Sequence, residues 1–446
     1  MRLVQLTPGA GRMYCGNCLR DNALVRAWQR QGHQALLVPL YLPLTLDEED
    51  LSGESPIFFS GLNVYLDQKL PWFRRAPEWL RRWFRGRRLL GWVGARAART
   101  RAEEVGDMTI SMLLGPEGNQ ARDLQELVDW LAGQPRADGF FLSNALLLGL
   151  APGLKRAFDS PVFAFLAGED SFVDAMPEPA RSEVWRLMAR RAREVDRFLA
   201  PSRYFAERMQ ARLDLPADKV AVAPTGISLE GYPATPAPAP RPPVIGYLAR
   251  MCEAKGLPLL VDAFIELRRR GRVPGVRLAV AGSCGPTDEP VVAAQRAKLE
   301  SAGLQDAVTF RPNLPREEKI RFLRGLTLFS VPATYGEAFG LYLVEAMAAG
   351  VPVVQPPEAA FPELIEATGG GLLARETTPT ALAEAWEELL SDPARRDQLA
   401  RQGQQAVHAN YKDEGAARRI LELCGLANPA PSPASGRESA EPRQVA

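Results

Sequence analysis

Short apolar runs separated by amphipathic stretches dominate the first half of the chain. The runs are LVQL at 3–6, ALLVPL at 35–40, GFFL at 139–142, VFAFL at 162–166 and FLA at 198–200. Between the first two runs, residues 22–31 follow a helical spacing that Gly32 ends. Strands that alternate with helices predict a parallel sheet covered on both faces, which is a Rossmann-like pattern.

The same alternation restarts after a proline-rich segment. Residues 231–243, GYPATPAPAPRPP, contain six prolines and predict a semi-rigid, extended linker. The later apolar runs are VIGYL at 244–248, VRLAVA at 276–281, VTF at 308–310, LTLFSV at 326–331 and VPVV at 351–354. We therefore expect an α/β fold in which two Rossmann-like α/β/α domains face each other across a ligand-binding cleft.

The pattern also predicts where the domains end. We expect an N-terminal Rossmann-like domain at 1–230, with an insertion at about 67–105, and a C-terminal Rossmann-like domain at 244–403. A helix at 404–425 is expected to pack back on the N-terminal domain. Residues 426–446, rich in proline, serine and alanine, are expected to be disordered.

Composition excludes several classes of protein. The 446 residues are 46% hydrophobic and 24% charged, with a formal net charge of +1, which is typical of a globular protein and argues against a nucleic-acid partner. Apolar runs stay well short of the ~20 residues of a membrane span. The start, MRLVQL, lacks the apolar core of a signal peptide. These features predict a cytoplasmic protein whose five cysteines are mostly reduced.

Three strand-to-loop junctions in the second half share one design. They are ARMCEAKG at 249–256, GSCGP at 282–286 and the stretch YGEAFGLYLVEAMAAGVPVV at 335–354. Small residues directly after a strand let the backbone come close to a ligand. Arg250 and Lys255 precede a helix that Gly256 can start, and cations beside a helix N-terminus suit a diphosphate. Considered alone, both cations are equally typical of solvated surface charges.

The third stretch carries two carboxylates, Glu337 and Glu345, with seven residues between them. Glu345 lies on an apolar helix face, where a charge costs free energy unless a polar group meets it. Ribose hydroxyls would satisfy it, and so would a neighbouring arginine. Glu337 suits sugar hydroxyls, or serves only as an acid near a helix start.

The order of these motifs resembles the family-4 retaining glycosyltransferases of GT-B fold. The resemblance rests on Gly246, Arg250, Lys255-Gly256, GSCGP and GEAFGLYLVEAMAAGVPVV, the last being similar to the family's two-glutamate signature. The segments FLAPSRYFAERM at 198–209 and VAPTGISLEGY at 222–232 are similar to the end of the family's N-terminal domain. The similarity spans about residues 1–425 and is weaker in the first half.

The resemblance implies a nucleotide-diphospho-sugar donor on the C-terminal domain. The acceptor, a glycan, a lipid-linked molecule or a small molecule, would bind the N-terminal domain. Arg250 and Lys255 would neutralise the diphosphate, Glu337 would contact the donor sugar and Glu345 would hold the ribose. Further contacts would come from Gly282, from the backbone at Phe339, Gly340 and Leu341, and from Gly9 and Gly11 across the cleft.

The implied chemistry is a metal-independent, front-face transfer without a cofactor. The family usually needs no metal, and the chain has no Asp-x-Asp motif that would hold one. Two alternatives stay open. One is a sugar-nucleotide epimerase of similar fold, and the other is a non-catalytic, membrane-associated protein that binds nucleotide sugars.

Two features depart from the family pattern. Ala167 stands where family members often carry a histidine, and the following Glu169 and Asp170 are candidates for a polar contact with donor or acceptor, or for acids at a helix N-terminus. Cys15 and Cys18 form a C-x2-C pair, and Cys252 and Cys284 lie on the diphosphate loops. These thiols fit a metal site or a redox pair, and equally four free thiols.

A basic aromatic segment at 67–100 has no counterpart elsewhere in the chain. It holds four of the eight tryptophans, and ten arginines lie between Lys69 and Arg101 against one acid, Glu78. Such a segment suits an anionic membrane surface or an anionic acceptor, and also a packed lid with solvated arginines. It raises a peripheral position at the inner face of a membrane as the alternative to a purely cytoplasmic one.

Overall fold

Two six-stranded parallel sheets, each flanked by helices, organise the molecule. The computed structural model describes residues 1–9, 16–46, 48–53, 55–59 and 102–426. The expected α/β class with two Rossmann-like sheets is confirmed. Gly11, Cys15, the basic aromatic segment and the tail at 427–446 lie outside the described residues, so the expectations for them stay predictions.

The first sheet has the strand order β2-β1-β3-β4-β5-β6. Its strands are β1 (Arg2–Thr7), β2 (Gln34–Pro39), β3 (Gly139–Leu142), β4 (Val162–Phe165), β5 (Arg197–Ala200) and β6 (Val220–Val222). Its described helices are α1 (Gly16–Arg30), α2 (Ala102–Leu114), α3 (Ala121–Ala132), α4 (Ala151–Ala157), α5 (Glu169–Asp174), α6 (Ala180–Ala192) and α7 (Arg203–Leu213).

The second sheet has the order β12-β11-β10-β7-β8-β9. Its strands are β7 (Val244–Leu248), β8 (Arg277–Gly282), β9 (Val308–Pro312), β10 (Leu328–Phe329), β11 (Val353–Gln355) and β12 (Gly371–Leu373). The helices of this half are α8 (Leu257–Arg270), α9 (Glu289–Ser301), α10 (Arg316–Arg324), α11 (Leu341–Ala348), α12 (Phe361–Thr368), α13 (Pro379–Ser391), α14 (Pro393–Asn410) and α15 (Asp413–Leu423).

Apolar side chains bury both faces of each sheet. The strand β3, GFFL, is buried at every position, as a central parallel strand should be. Phe140 points into the cluster formed with helices α2 to α7, and its neighbour Phe141 points into the cluster formed with α1 and α15. This alternation follows from the two-residue period of a strand.

Helix α1 begins six residues before the expected start at residue 22. Its second turn presents Asp21 and Asn22 to the interior, both fully buried. Because these buried positions are polar, the apolar periodicity does not reveal the first turns of α1.

The chain returns to the first sheet at its C-terminal end. Residues 231–243 form neither helix nor strand, and Gln404 on α14 donates to the carbonyl of Pro233 at 3.0 Å. Helix α15 then packs on α1, where the Trp28 indole N–H donates to the Ala417 carbonyl at 3.2 Å. The domain boundaries themselves stay a prediction.

None of the described helices combines the length and the apolarity that a bilayer crossing requires.

Candidate active site

A cavity of about 380 Å³ lies between the two sheets at the carboxyl ends of their strands. In the second sheet it opens where β7 neighbours β10, the point at which the strand order reverses and open α/β sheets bind ligands. The first half of the chain contributes the start of α1 and the loop after β4. The charged residues of the lining are Arg20, Arg250, Lys255, Lys319, Glu337 and Glu345.

Arg250 directly follows β7 and is held by a carboxylate of the neighbouring loop. Its Nε donates to both oxygens of Asp288 at 2.9 and 3.1 Å, and Nη2 donates to the Thr287 hydroxyl at 3.3 Å. Asp288 is only 4% exposed and also accepts the Gly285 N–H at 3.1 Å. The hydrogen bonds that Arg250 donates to Asp288 raise the pKa of Arg250, so the guanidinium is a permanent, oriented cation.

Lys255 meets Glu337 in the centre of the second-domain lining. Its Nζ lies 2.6 Å from Glu337 Oε2, and the phenols of Tyr335 and Tyr342 each donate to the same oxygen at 2.8 Å. Lys255 also donates to the Tyr335 hydroxyl and lies over the Tyr342 ring, 5.3 Å from its centroid. All hydrogen bonds of the Glu337 side chain within the described residues therefore end on Oε2.

Opposing effects act on the Glu337 carboxyl, which is 8% exposed. Burial raises its pKa, but the charge and hydrogen bond of Lys255 and the two phenol hydrogen bonds outweigh that effect. The pKa therefore lies below its usual value, and Glu337 is ionised at neutral pH.

Glu345 finds its partner in a lysine rather than an arginine. Lys319 on α10 places Nζ 2.7 Å from Glu345 Oε1 across the groove between α10 and α11. The two side chains are 11% and 15% exposed, and both line the cavity. The carboxylate on the apolar helix is thus compensated and still faces the cleft.

Backbone groups complete the second-domain side. Phe339, Gly340 and Leu341 line the cavity where α11 starts, so its first N–H groups border the same space. Gly282 also lines it. A Cβ there would lie 1.8 Å from the Ala249 carbonyl oxygen, so only glycine allows the loops after β7 and β8 to approach this closely.

The first-domain side is built from residues that sequence reasoning missed. Gly16 and Asn17 at the start of α1 line the cavity together with Arg20. The Arg20 guanidinium donates to Asp21 Oδ1 at 2.7 Å and to the Ser143 carbonyl at 2.6 Å, and it lies 4.3 Å from the centroid of the Phe165 ring. In the local sequence, the adjacent pair Arg20 and Asp21 is the one feature that indicates a functional position. It does not predict where these side chains point.

Three of the residues expected to contact donor or acceptor are not part of this cavity lining, so their contact with a ligand stays a prediction. Gly9 does not line the cavity; a Cβ there would lie 1.8 Å from the Leu42 carbonyl oxygen, so the glycine serves a close approach of two chain segments. Glu169 accepts the N–H groups of Ala145 at 2.6 Å and Ala167 at 2.8 Å and is 4% exposed. Its carboxylate thus joins two loops.

Asp170 has the same kind of structural role. It is 1% exposed and pairs with Arg208 on α7, so it too lies away from the cavity lining.

Among the described residues, the cysteines near the cavity form no disulfide. Cys252 and Cys284 are half-buried and unbridged, and Cys18 is buried. Within the described ranges, no group of three or more histidine, cysteine, aspartate or glutamate side chains is arranged to hold a metal ion.

Two Rossmann-like domains with a cavity between them are the architecture of the GT-B class of protein. The family model "Glycosyl transferases group 1" matches residues 232–406, and the model "Glycosyltransferase Family 4" matches residues 121–230. The chain belongs to the family-4 glycosyltransferases of GT-B fold.

Curated relatives match part of the chain. It is similar to the D-inositol 3-phosphate glycosyltransferase of Nocardia farcinica, with 31% identity over 261 residues, which cover 55% of this chain and 55% of that protein. The putative colanic acid biosynthesis glycosyltransferase WcaL of Escherichia coli is 28% identical over 240 residues, or 52% of this chain and 57% of WcaL. The match thus spans about half the length of these relatives.

Solved structures share the fold over nearly the whole chain. Sucrose-phosphate synthase from Thermosynechococcus elongatus superposes with a TM-score of 0.65 at 18% identity, covering 95% of this chain and 98% of the synthase. Anabaena HepE in complex with UDP and glucose superposes with a TM-score of 0.66 at 16% identity, covering 95% and 99%.

Proposed function

We propose that the protein is a retaining glycosyltransferase that moves a sugar from a nucleotide-diphospho-sugar to an acceptor hydroxyl. The observation that carries the proposal is the cavity lining, where Arg250 and Lys255 stand beside the start of α11 and two carboxylates face the same space. Cations at a helix N-terminus suit a diphosphate, and carboxylates suit sugar hydroxyls. The complex of Anabaena HepE with UDP and glucose supports a donor of this class.

Each part of the donor has a matching group in the cavity. The diphosphate would accept hydrogen bonds from Arg250, from Lys255 and from the first N–H groups of α11. Glu345, held in place by Lys319, would accept the two ribose hydroxyls. Glu337 has its Oε2 occupied by three donors, which leaves Oε1 for a hydroxyl of the transferred sugar.

The same inventory supports a front-face mechanism. The bond from the anomeric carbon to the diphosphate oxygen breaks, and the acceptor oxygen bonds to the same face while its proton passes to the leaving diphosphate. Arg250 and Lys255 would stabilise the charge that develops on that oxygen, so side chains supply the positive charge.

Glu337 and Glu345 are the carboxylates among the described lining residues. The negative charge of Glu337 is spread over three hydrogen bonds, which suits an acceptor of hydrogen bonds better than an attacking nucleophile. Positioning and electrostatics would then carry the rate enhancement without a covalent intermediate.

The acceptor would bind on the first-domain side of the cavity. Gly16, Asn17 and Arg20 line that side, and the guanidinium is held rigidly by Asp21 and Phe165. Several curated relatives are named as glycosyltransferases of D-inositol 3-phosphate, which supports including phosphorylated cyclitols among the acceptors to be tested.

Thermal unfolding with UDP, GDP and ADP tests the donor site. A diphosphate present at 100 times its Kd should stabilise the protein by about 2.7 kcal/mol and raise Tm. Glu345→Ala should abolish the rise. Glu366→Ala, an exposed glutamate on α12, is the matched control and should keep it.

Transfer is then measured with the sugar derivatives of the diphosphate that binds. Release of the nucleoside diphosphate should require an acceptor, and NMR of the product should show the anomeric configuration of the donor. Conversion of the donor into its epimer without an acceptor would replace the proposal by an epimerase. Full turnover by Glu345→Ala would contradict the assigned donor site.

A further inference from the structure

The N-terminus of helix α7, in the first domain, contacts the loop that carries Glu337 in the second. Ser202 caps this helix by accepting the Phe205 N–H at 3.1 Å. The same hydroxyl donates its proton to the Ala338 carbonyl at 2.7 Å, and Ser202 is only 3% exposed. One buried hydroxyl thus joins a helix cap of one domain to the residue after Glu337.

A carboxylate of the second domain meets the same helix end. Glu363, in the first turn of α12, accepts the N–H of Arg203 at 2.9 and 3.0 Å and the N–H of Tyr204 at 3.2 Å. These N–H groups have no partner within α7, and a negative charge next to them interacts favourably with the helix dipole. Glu363 therefore acts as a second cap, supplied across the domain boundary.

The loop itself is held between these two elements. The Ala360 N–H at the start of α12 donates to the Glu337 carbonyl at 3.2 Å. The Ala338 side chain is 6% exposed and packs in the hydrophobic cluster of the first domain. A Cβ at Gly336 would lie 2.4 Å from the Tyr204 hydroxyl, so α7 also covers the loop directly.

We propose that Ser202 and Glu363 are positioning residues. They hold the Glu337–Gly340 loop against the first domain and so fix the position of Glu337 relative to the acceptor side of the cavity. Neither residue lines the cavity, so their effect would be transmitted through the loop. The inference rests on the proposed function for its kinetic consequence, whereas its structural consequence can be measured in the protein without substrates.

Hydrogen–deuterium exchange gives the readout that does not depend on activity. Glu363→Gln removes the negative charge at α7, and it should speed amide exchange at residues 338–341 by about tenfold, because that protection follows local opening. Glu366→Gln on the same helix is exposed and should leave the exchange unchanged. Equal exchange in the two variants would overturn the inference, whether or not the protein transfers sugar.

Kinetics give the second readout, measured below the Tm of every variant. Glu363→Gln should lower kcat about tenfold, because Glu337 is no longer held in a fixed position relative to the acceptor side. The Kd of the bound nucleoside diphosphate should change by less than about threefold. A purely structural contact would lower Tm and leave kcat at the Glu366→Gln value.

Ser202 supplies a smaller perturbation. Ser202→Ala should reproduce both effects, and Ser202→Thr, which keeps the hydroxyl, should restore them toward wild type. Failure of the wild type to bind any diphosphate or to transfer sugar would refute the proposed function alone. Unchanged exchange and unchanged kcat in Ser202→Ala, in a protein that transfers sugar, would refute the positioning role alone.

Discussion

Replacing Lys255 by methionine should leave the buried Glu337 carboxylate without its cationic partner. Lys255 is the one cation on Glu337 among the described contacts, with Nζ 2.6 Å from Oε2. Methionine keeps much of the apolar stem of lysine and removes the charge. The carboxylate would then be left with only the phenols of Tyr335 and Tyr342 as donors.

The expected cost at pH 7 is about 3 kcal/mol of unfolding free energy, at the lower end of the range for breaking a buried pair, because the phenols remain. Lys298→Met is the matched control. Lys298 pairs with Asp262 at 2.7 Å, but each side chain is 41% exposed. An exposed pair of this kind is worth about 0–1 kcal/mol.

The sign of the pH dependence separates the charge effect from lost packing. In the wild type the pKa of Glu337 lies below its usual 4.5, because Lys255 and the phenol hydrogen bonds outweigh burial. Glu337 therefore contributes stability above pH 4.5 that is lost as the pH falls through the lowered pKa. Without Lys255, burial dominates and raises the pKa of Glu337 above 4.5. The carboxyl then binds its proton more tightly in the folded variant than in the unfolded one, so the variant loses stability as the pH rises.

Urea unfolding at pH 7 and pH 5 measures this difference. The destabilisation by Lys255→Met should be largest at pH 7 and smaller at pH 5, whereas that of Lys298→Met should be small at both. A deficit of equal size at both pH values, or one no larger than the control, would refute the account of Glu337 as a buried, lysine-compensated charge.

Two further predictions concern the second domain. Gly282→Ala should lower the free energy of unfolding by about 2 kcal/mol or more, because the new Cβ overlaps the Ala249 carbonyl. The control is Gly271→Ala, at an open position with a positive φ, which should cost about 1 kcal/mol in the same urea experiment. Lys319→Met should raise the Kd of the bound nucleoside diphosphate about tenfold in calorimetry, because Glu345 loses the partner that orients it, and an unchanged Kd would remove Lys319 from the donor site.

The sequence predicts the strands well where burial is continuous along the chain. Continuous apolar runs such as VFAFL and VIGYL predict central parallel strands, because such strands are buried on both faces and need apolar residues at every position. The edge strands β6 and β12 were missed, since three residues do not establish a pattern. LTLFSV suggests six strand residues, of which only Leu328–Phe329 form β10.

The candidate site divides in a similar way. Glu337, Gly340 and Glu345 can be placed together from sequence, because one loop and one helix fix their relative positions. Their partners cannot, because Lys319 precedes Glu345 by 26 residues and lies on another helix. The hydrogen bonds of Glu169 cannot be predicted for a related reason: the backbone N–H groups that donate to it have no signature in the residue types around them.

The charged side chains that line the cavity are paired within the protein. The pairs are Arg20 with Asp21, Arg250 with Asp288, Lys255 with Glu337 and Lys319 with Glu345. Pairing lets cations persist in a half-buried cleft without the desolvation cost of isolated charges. In the proposed function, a diphosphate would share its cations with these carboxylates, which would moderate its affinity in the ground state. Charge that develops on the leaving oxygen would gain from cations already fixed in position, so we expect this arrangement to favour the transition state over tight binding of the donor.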